Sequence, residues 1–168
     1  MASSTLTNRS VARPEVSKEG TARAGALLGL AAVACLVAGV GHLAVVVENP
    51  GDWWQYVAFF LVTGVGQVAC AGLLVRRPAP WVLLSGIWGN VAILGMYLYT
   101  RTWGVPVGPA VRHQEPAGTL DMAVALSEVA VVVLLCAALA GRTRRIVINL
   151  VGLLGVGLWI GRMTGLIL

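Results

Sequence analysis

Two carboxylates interrupt an otherwise apolar stretch of the chain, and they are the side chains best suited to chemistry there. The stretch DMAVALSEVAVVVLL, residues 121–135, begins with Asp121 and carries Glu128 seven residues later. This spacing places both carboxylates on one face of an α-helix, with Glu128 about two turns deeper. A charge at the centre of a bilayer costs about 2.5 to 3.5 kcal/mol on insertion scales. Glu128 is therefore expected to face the inside of a helical bundle and to be paired, hydrated or protonated there.

Further polar side chains lie at matching depths in other apolar stretches, between the bilayer centre and one surface. The predicted ligand- or proton-binding residues are Glu128, His42, Asn90, Gln67, Arg101, Asp121 and Glu48. One helical stripe on the third stretch contains Gly86, Asn90, Tyr97 and Arg101. His42 and Glu128 are the expected titrating groups, and also the candidate metal ligands, because imidazole and carboxylate suit several divalent metals.

Each of these side chains also has a purely structural interpretation. Amides inside membrane helices commonly bond neighbouring helices, which is worth about 0.6 to 2 kcal/mol. Asp121 could cap a helix, and Arg101 could extend its guanidinium to the membrane surface. His42 could be an interhelical donor, and Glu48 a solvated loop acid. Glu128 is the residue that a structural role explains least well.

The elements that would position these residues are membrane-spanning helices. Of the 168 residues, 58% are hydrophobic and 11% are charged, whereas a soluble domain is about one quarter charged. Apolar runs of about 20 residues, enough to cross about 30 Å of hydrocarbon, lie at residues 24–47, 56–75, 81–100, 120–140 and 146–168. The predicted fold is an all-α polytopic bundle of about five transmembrane helices, residues 23–168, after a disordered polar tail, residues 1–22.

The distribution of basic residues predicts the orientation. Most of the twelve Lys and Arg residues fall on one side of the predicted membrane, which is the cytoplasmic side by the positive-inside rule. The N-terminus and the tail are then cytoplasmic, and the protein is expected in the cell membrane. The lipid bilayer is the expected partner, and nucleic acid is not, although the net charge is +5. The longest loop, residues 101–119, is rich in Gly and Pro, which predicts a structured turn that could fold back over the bundle.

Small residues repeat at every fourth position in two of the predicted helices. The fifth carries Gly157, Gly161 and Gly165, and the first carries a weaker version in Gly25 and Gly29. Such patterns permit close approach of helices. They indicate packing within the chain or, through the fifth helix, contact with a second copy or with a membrane-complex partner.

Three segments resemble a group of small multi-span membrane proteins from actinobacteria. These are GHLAVVVENPGDWWQYVAFFLVTGVGQ, GNVAILGMYLYTRTWGVPVGP and EPAGTLDMAVALSE, so that the likeness covers about residues 41–140. The shared marks are His42, Glu48, Gln67, Asn90, Arg101, Thr102, Gly104, Pro106, Gly108, Pro109, Glu115, Asp121 and Glu128. The resemblance implies an integral membrane protein with this topology, and it supplies no reaction or ligand.

Three classes of function follow from these features. The first is binding or transport of a proton, a metal ion or a small polar ligand at the polar site. The second is a non-catalytic subunit of a larger membrane complex. The third is an enzyme that uses a buried carboxylic acid, Glu128 or Asp121, on a lipid-soluble substrate such as an isoprenoid or quinone. The chain contains no HExxH, GxSxG or Walker motif, and the spacing of its cysteines specifies no metal site.

Overall fold

The chain forms a bundle of α-helices. The structure, a computed structural model, describes residues 18–48, 51, 53–109, 111–114 and 116–164. Its helices are α1 (Lys18–Glu48), α2 (Trp54–Arg76), α3 (Pro80–Thr102), α4 (Thr119–Ala138) and α5 (Gly141–Met163). All five are long and apolar enough to cross a membrane, and the described residues form no β-strand beyond one isolated bridge. The prediction of an all-α polytopic bundle is confirmed.

The ends of the helices differ from the predicted boundaries where local residues favour or stop a helix. α1 begins at Lys18, inside the predicted tail, because the sequence there contains good helix formers; residues 1–17 of that tail lie outside the described residues. Pro80 occupies the first turn of α3, a position where its missing N–H is tolerated. α4 ends at Ala138, and the backbone is extended at Leu139. α5 begins at Gly141, five residues before its predicted start.

Glycines bring the first four helices close together. α1 packs against α2 and α4, α3 packs against α4, and α2 and α3 touch more sparsely. A Cβ atom at Gly39 of α1 would lie 3.0 Å from the Gly64 carbonyl oxygen of α2. One at Gly41 would overlap Val124 of α4, and one at Gly86 of α3 would lie 2.7 Å from Leu135 of α4. These contacts, with those between α1 and α4, place α3 and α4 side by side in the bundle.

The glycines singled out in the sequence are not the ones at these contacts. A Cβ atom added at Gly25, Gly29 or Gly157 would have no neighbour within 4 Å. Gly161 is buried, and Gly165 lies outside the described residues. Beyond Val151 nearly all described side chains of α5 are exposed, so its contact with a second copy or a complex partner stays a prediction.

The polar residues and the apolar core occupy different ends of the bundle. The loop end is the end that carries Glu48, Trp54, Thr102 and Thr119. The opposite half is filled by buried apolar residues, which include Ala31, Cys35, Leu74, Ile87, Val131 and Leu135. The buried polar side chains lie between that core and the loop end, so the loop end is the side from which a polar molecule can reach them.

The loop between α3 and α4 is folded back onto the bundle, as predicted. Val105 N–H donates to the His113 carbonyl at 3.1 Å, and Arg112 N–H donates to the Val105 carbonyl at 3.0 Å. Gly108, at φ +86°, lies against the Trp53 ring, where a side chain would collide. The Tyr56 hydroxyl donates to the Val107 carbonyl at 2.7 Å. These contacts hold the loop over the ends of the helices.

Candidate ligand site

A cavity of about 380 Å³ opens at the loop end between α1, α2, α3, α4 and the folded loop. Its wall is largely aromatic and aliphatic, with Tyr56 and Phe59 from α2, Met96 from α3 and Val107 from the loop. The polar side chains on its surface include His42, Glu128, Arg101 and Asp121. Ligand pockets are commonly about 300 to 1,000 Å³ in volume, mostly apolar, with a few convergent polar groups. This cavity has both properties.

A buried His–Glu pair is the most enclosed polar feature of the cavity. His42 Nε2 lies 2.9 Å from Glu128 Oε1, and the two residues are only 5% and 1% exposed. The His42 ring also packs against Phe60, with ring centroids 5.9 Å apart. A contact of this length requires a proton between the two atoms, on either the imidazole or the carboxylic acid. The pair can therefore hold a proton on either partner.

In the described part of the chain, one carboxyl oxygen of Glu128 has no protein partner. Among the described residues its only hydrogen-bond partner is His42, through Oε1. The other oxygen, Oε2, therefore has its lone pairs available toward the cavity, which Glu128 lines. A hydroxyl or an ammonium group that enters the cavity could donate to it.

Arg101 and Asp121 form a second pair nearer the loop. Arg101 Nη2 donates to Asp121 Oδ2 at 2.7 Å, and the side chains are 17% and 36% exposed. Asp121 Oδ2 also accepts from Gly118 N–H at 3.2 Å, the bond expected of an acid in the first turn of a helix. The Arg101 guanidinium lies 4.8 Å from the centroid of the Tyr97 ring. Arg101 is thus neutralised by Asp121, and Glu128 pairs with His42 instead.

The remaining predicted residues lie away from this cavity. Gln67 Nε2 donates to Asn90 Oδ1 at 2.8 Å, and Asn90 Nδ2 donates to the Gly86 carbonyl at 2.7 Å. Both amides line a second cavity, of about 280 Å³, between α2 and α3. Asn90 precedes Arg101 by three helical turns, about 16 Å, which places it too deep for the loop-end cavity. Glu48 is the last residue of α1 and is exposed, so it belongs to neither cavity.

The geometry gives the metal hypothesis little support. Among the described residues, no three His, Cys, Asp or Glu side chains come together. His42 and Glu128 face each other as hydrogen-bond partners, and Glu48 does not join them. The pair therefore offers two ligands, whereas zinc sites usually take three or four from the protein.

Several cavity residues were missing from the predicted set. Gln55 lines the cavity, and its Oε1 atom is buried and accepts no hydrogen bond in the described part of the chain. Tyr56 and Phe60 form another part of the wall. With Thr63 and Gln67 they follow one another at spacings of 4, 3 and 4 residues, a helical stripe that could have indicated this face of α2.

Comparison of the chain with protein-family models, with curated proteins and with solved structures found no match. The resemblance to actinobacterial membrane proteins therefore remains a proposal that rests on the segments quoted above.

Proposed function

We propose that this multi-pass membrane protein binds a small molecule in the loop-end cavity, with Glu128 as the main polar contact. The observation that carries the proposal is a carboxyl group that is almost completely buried beside the cavity and is bonded, within the described residues, through only one of its oxygens. Buried polar groups in proteins nearly always have hydrogen-bond partners, from the protein or from water. A ligand that donates a hydrogen bond would supply the missing partner, so the ligand carries a hydroxyl or an ammonium group.

His42 positions Glu128 through its contact with Oε1 at 2.9 Å, so that Oε2 is the oxygen left for a ligand. Tyr56, Phe60 and Tyr97 supply apolar ring surface for the rest of the ligand. Arg101 is already paired with Asp121, which disfavours an anionic ligand.

The distribution of basic residues supports a cytoplasmic N-terminus. In that orientation the loop end faces the outside of the cell membrane, and the ligand reaches the cavity from that side. The resemblance over residues 41–140 implies the same topology, and its segments include both His42 and Glu128.

Binding can be tested on the purified protein in lipid nanodiscs with three probes of matched size: 4-phenylbutylamine, 4-phenylbutanol and 4-phenylbutanoate. Infrared difference spectra should show that the amine or the alcohol perturbs a carboxyl band of the wild type, and that this change is absent in Glu128→Gln. A hydrogen bond to a charged group is worth about 1.5 to 3 kcal/mol, so we expect the Gln variant to bind about tenfold or more weakly.

Glu48→Gln is the matched control, because Glu48 is an exposed acid outside the cavity. It should bind all probes as the wild type does. Equal affinity of Glu128→Gln and the wild type for every probe would contradict the proposal. So would failure of both the amine and the alcohol to bind the wild type, whether or not the carboxylate binds.

A further inference from the structure

We propose that the ligand is a single-chain amphiphile, whose donor head group occupies the loop-end cavity and whose apolar chain lies in the groove between α2 and α3. The inference rests on the proposed function, because it assigns a chain to the same ligand. It concerns the second cavity, of about 280 Å³, which is lined by residues of α2 and α3 only.

The two cavities are consecutive parts of one seam. Ile93 of α3 lines both of them. On α2 the lining passes from Tyr56 and Phe60 in the first cavity to Thr63 and Gln67 in the second, in steps of one helical turn. From Phe60 to Leu73 the seam extends about 20 Å along α2, which is most of the thickness of a hydrocarbon core. A chain that leaves the first cavity past Ile93 would enter the second directly.

The groove is suited to an apolar occupant. Its buried polar side chains already have partners: Gln67 donates to Asn90 at 2.8 Å, and Asn90 donates to the Gly86 carbonyl at 2.7 Å. The Thr63 hydroxyl donates to the Phe59 carbonyl of its own helix at 2.8 Å. Each amide is thus bonded to a neighbour, and most of the other lining residues are apolar side chains or glycines, so contact with the groove is mainly van der Waals contact.

Two glycines make room in the groove instead of bringing helices together. Gly66 of α2 and Gly89 of α3 both line it, and a Cβ atom at either position would meet nothing within 4 Å. By contrast, Gly39 and Gly64 are in tight contact across α1 and α2. Helix packing therefore explains Gly39 and Gly64 but not Gly66 or Gly89, whose effect is to leave the groove wide enough for a chain.

Ordinary bilayer lipid could also fill a groove between two helices, and the test must separate it from a chain held through its head group. The probe is dodecylamine with a photoreactive diazirine at the end of the chain, added to the protein in nanodiscs. After illumination, mass spectrometry locates the labelled residues. We expect labels in the groove, on α2 near Cys70 and on α3 near Ser85. Excess 4-phenylbutylamine should remove most of them, while labels on the exposed face of α5 persist.

Two variants of α3 complete the experiment. Gly89→Leu would fill the groove and should reduce its labelling several-fold, while 4-phenylbutylamine still binds with wild-type affinity. Gly95→Leu is the matched control, because Gly95 also has open space around it but lines neither cavity, and it should change neither result.

Groove labelling that persists in the presence of excess 4-phenylbutylamine would overturn the inference, because the chain would then be ordinary lipid. Wild-type labelling in Gly89→Leu would overturn it as well. In both cases binding of the short amine would leave the proposed function standing. If the short amine does not bind the wild type, the proposed function fails and the inference fails with it.

Discussion

At the scale of single residues, the buried pair of His42 and Glu128 sets what the site can do. Each side chain gives the other a hydrogen-bond partner inside the bundle. This matters because an unpaired buried polar group costs about 1 to 3 kcal/mol. The pair uses only one oxygen of Glu128. The pair is therefore stable inside the bundle, and Glu128 Oε2 has no partner among the described residues and is left for the cavity.

This pairing predicts strong coupling between the two side chains. His42→Leu alone leaves Glu128 buried without its partner, and Glu128→Leu alone leaves His42 in the same state. Each should lower the free energy of unfolding by about 1 to 3 kcal/mol. The double variant should lower the free energy of unfolding by clearly less than the sum of the two single losses. Thermal unfolding of the four proteins in lipid nanodiscs measures the cycle.

Glu48→Gln serves as the control for loss of an acid and should be close to neutral, because Glu48 is exposed. Strictly additive losses in the two single variants would show that His42 and Glu128 do not stabilise each other in the membrane.

At the scale of helices, the sequence patterns predicted which face of a helix points into the bundle better than they predicted which helices touch. The stripe of Gly86, Asn90, Tyr97 and Arg101 does face the seam between helices, but it divides between two cavities because it spans about four turns. Glycine spacing favoured α5, whereas the close contacts involve Gly39 and Gly64. A repeat of small residues shows that another helix can pack closely at that position. Which helix packs there depends on tertiary contacts, and these cannot be read from a single sequence.

These glycine contacts predict where α1 cannot accept a larger side chain. Gly39→Val would push side-chain atoms against the backbone of α2, since even a Cβ atom at this position would lie 3.0 Å from the Gly64 oxygen. Overpacking of this kind costs about 1 to 3 kcal/mol, and the thermal midpoint in nanodiscs should fall accordingly. Gly29→Val on the same helix meets open space and should change the midpoint little. Equal effects of the two substitutions would contradict the close packing of α1 on α2.

At the scale of the whole molecule, the bundle is asymmetric along its axis. Its buried apolar core fills the half away from the loop, while the cavity and the His–Glu pair lie at the loop end. A molecule bound at Glu128 therefore has an entrance at one end and, through the α2–α3 seam, along the side of the bundle. Which face of the membrane the loop end occupies then decides whether the ligand comes from outside or from the cytoplasm.

The positive-inside rule predicts that the loop end faces outward. His113, in the loop, and Arg77, after α2, are both exposed and lie at opposite ends of the bundle. In a background without the three native cysteines, His113→Cys should react with a membrane-impermeant maleimide on intact cells. Arg77→Cys should react only after the cells are permeabilised. The reverse pattern would place the cavity on the cytoplasmic side, and the ligand would then be a molecule that reaches it from within the cell.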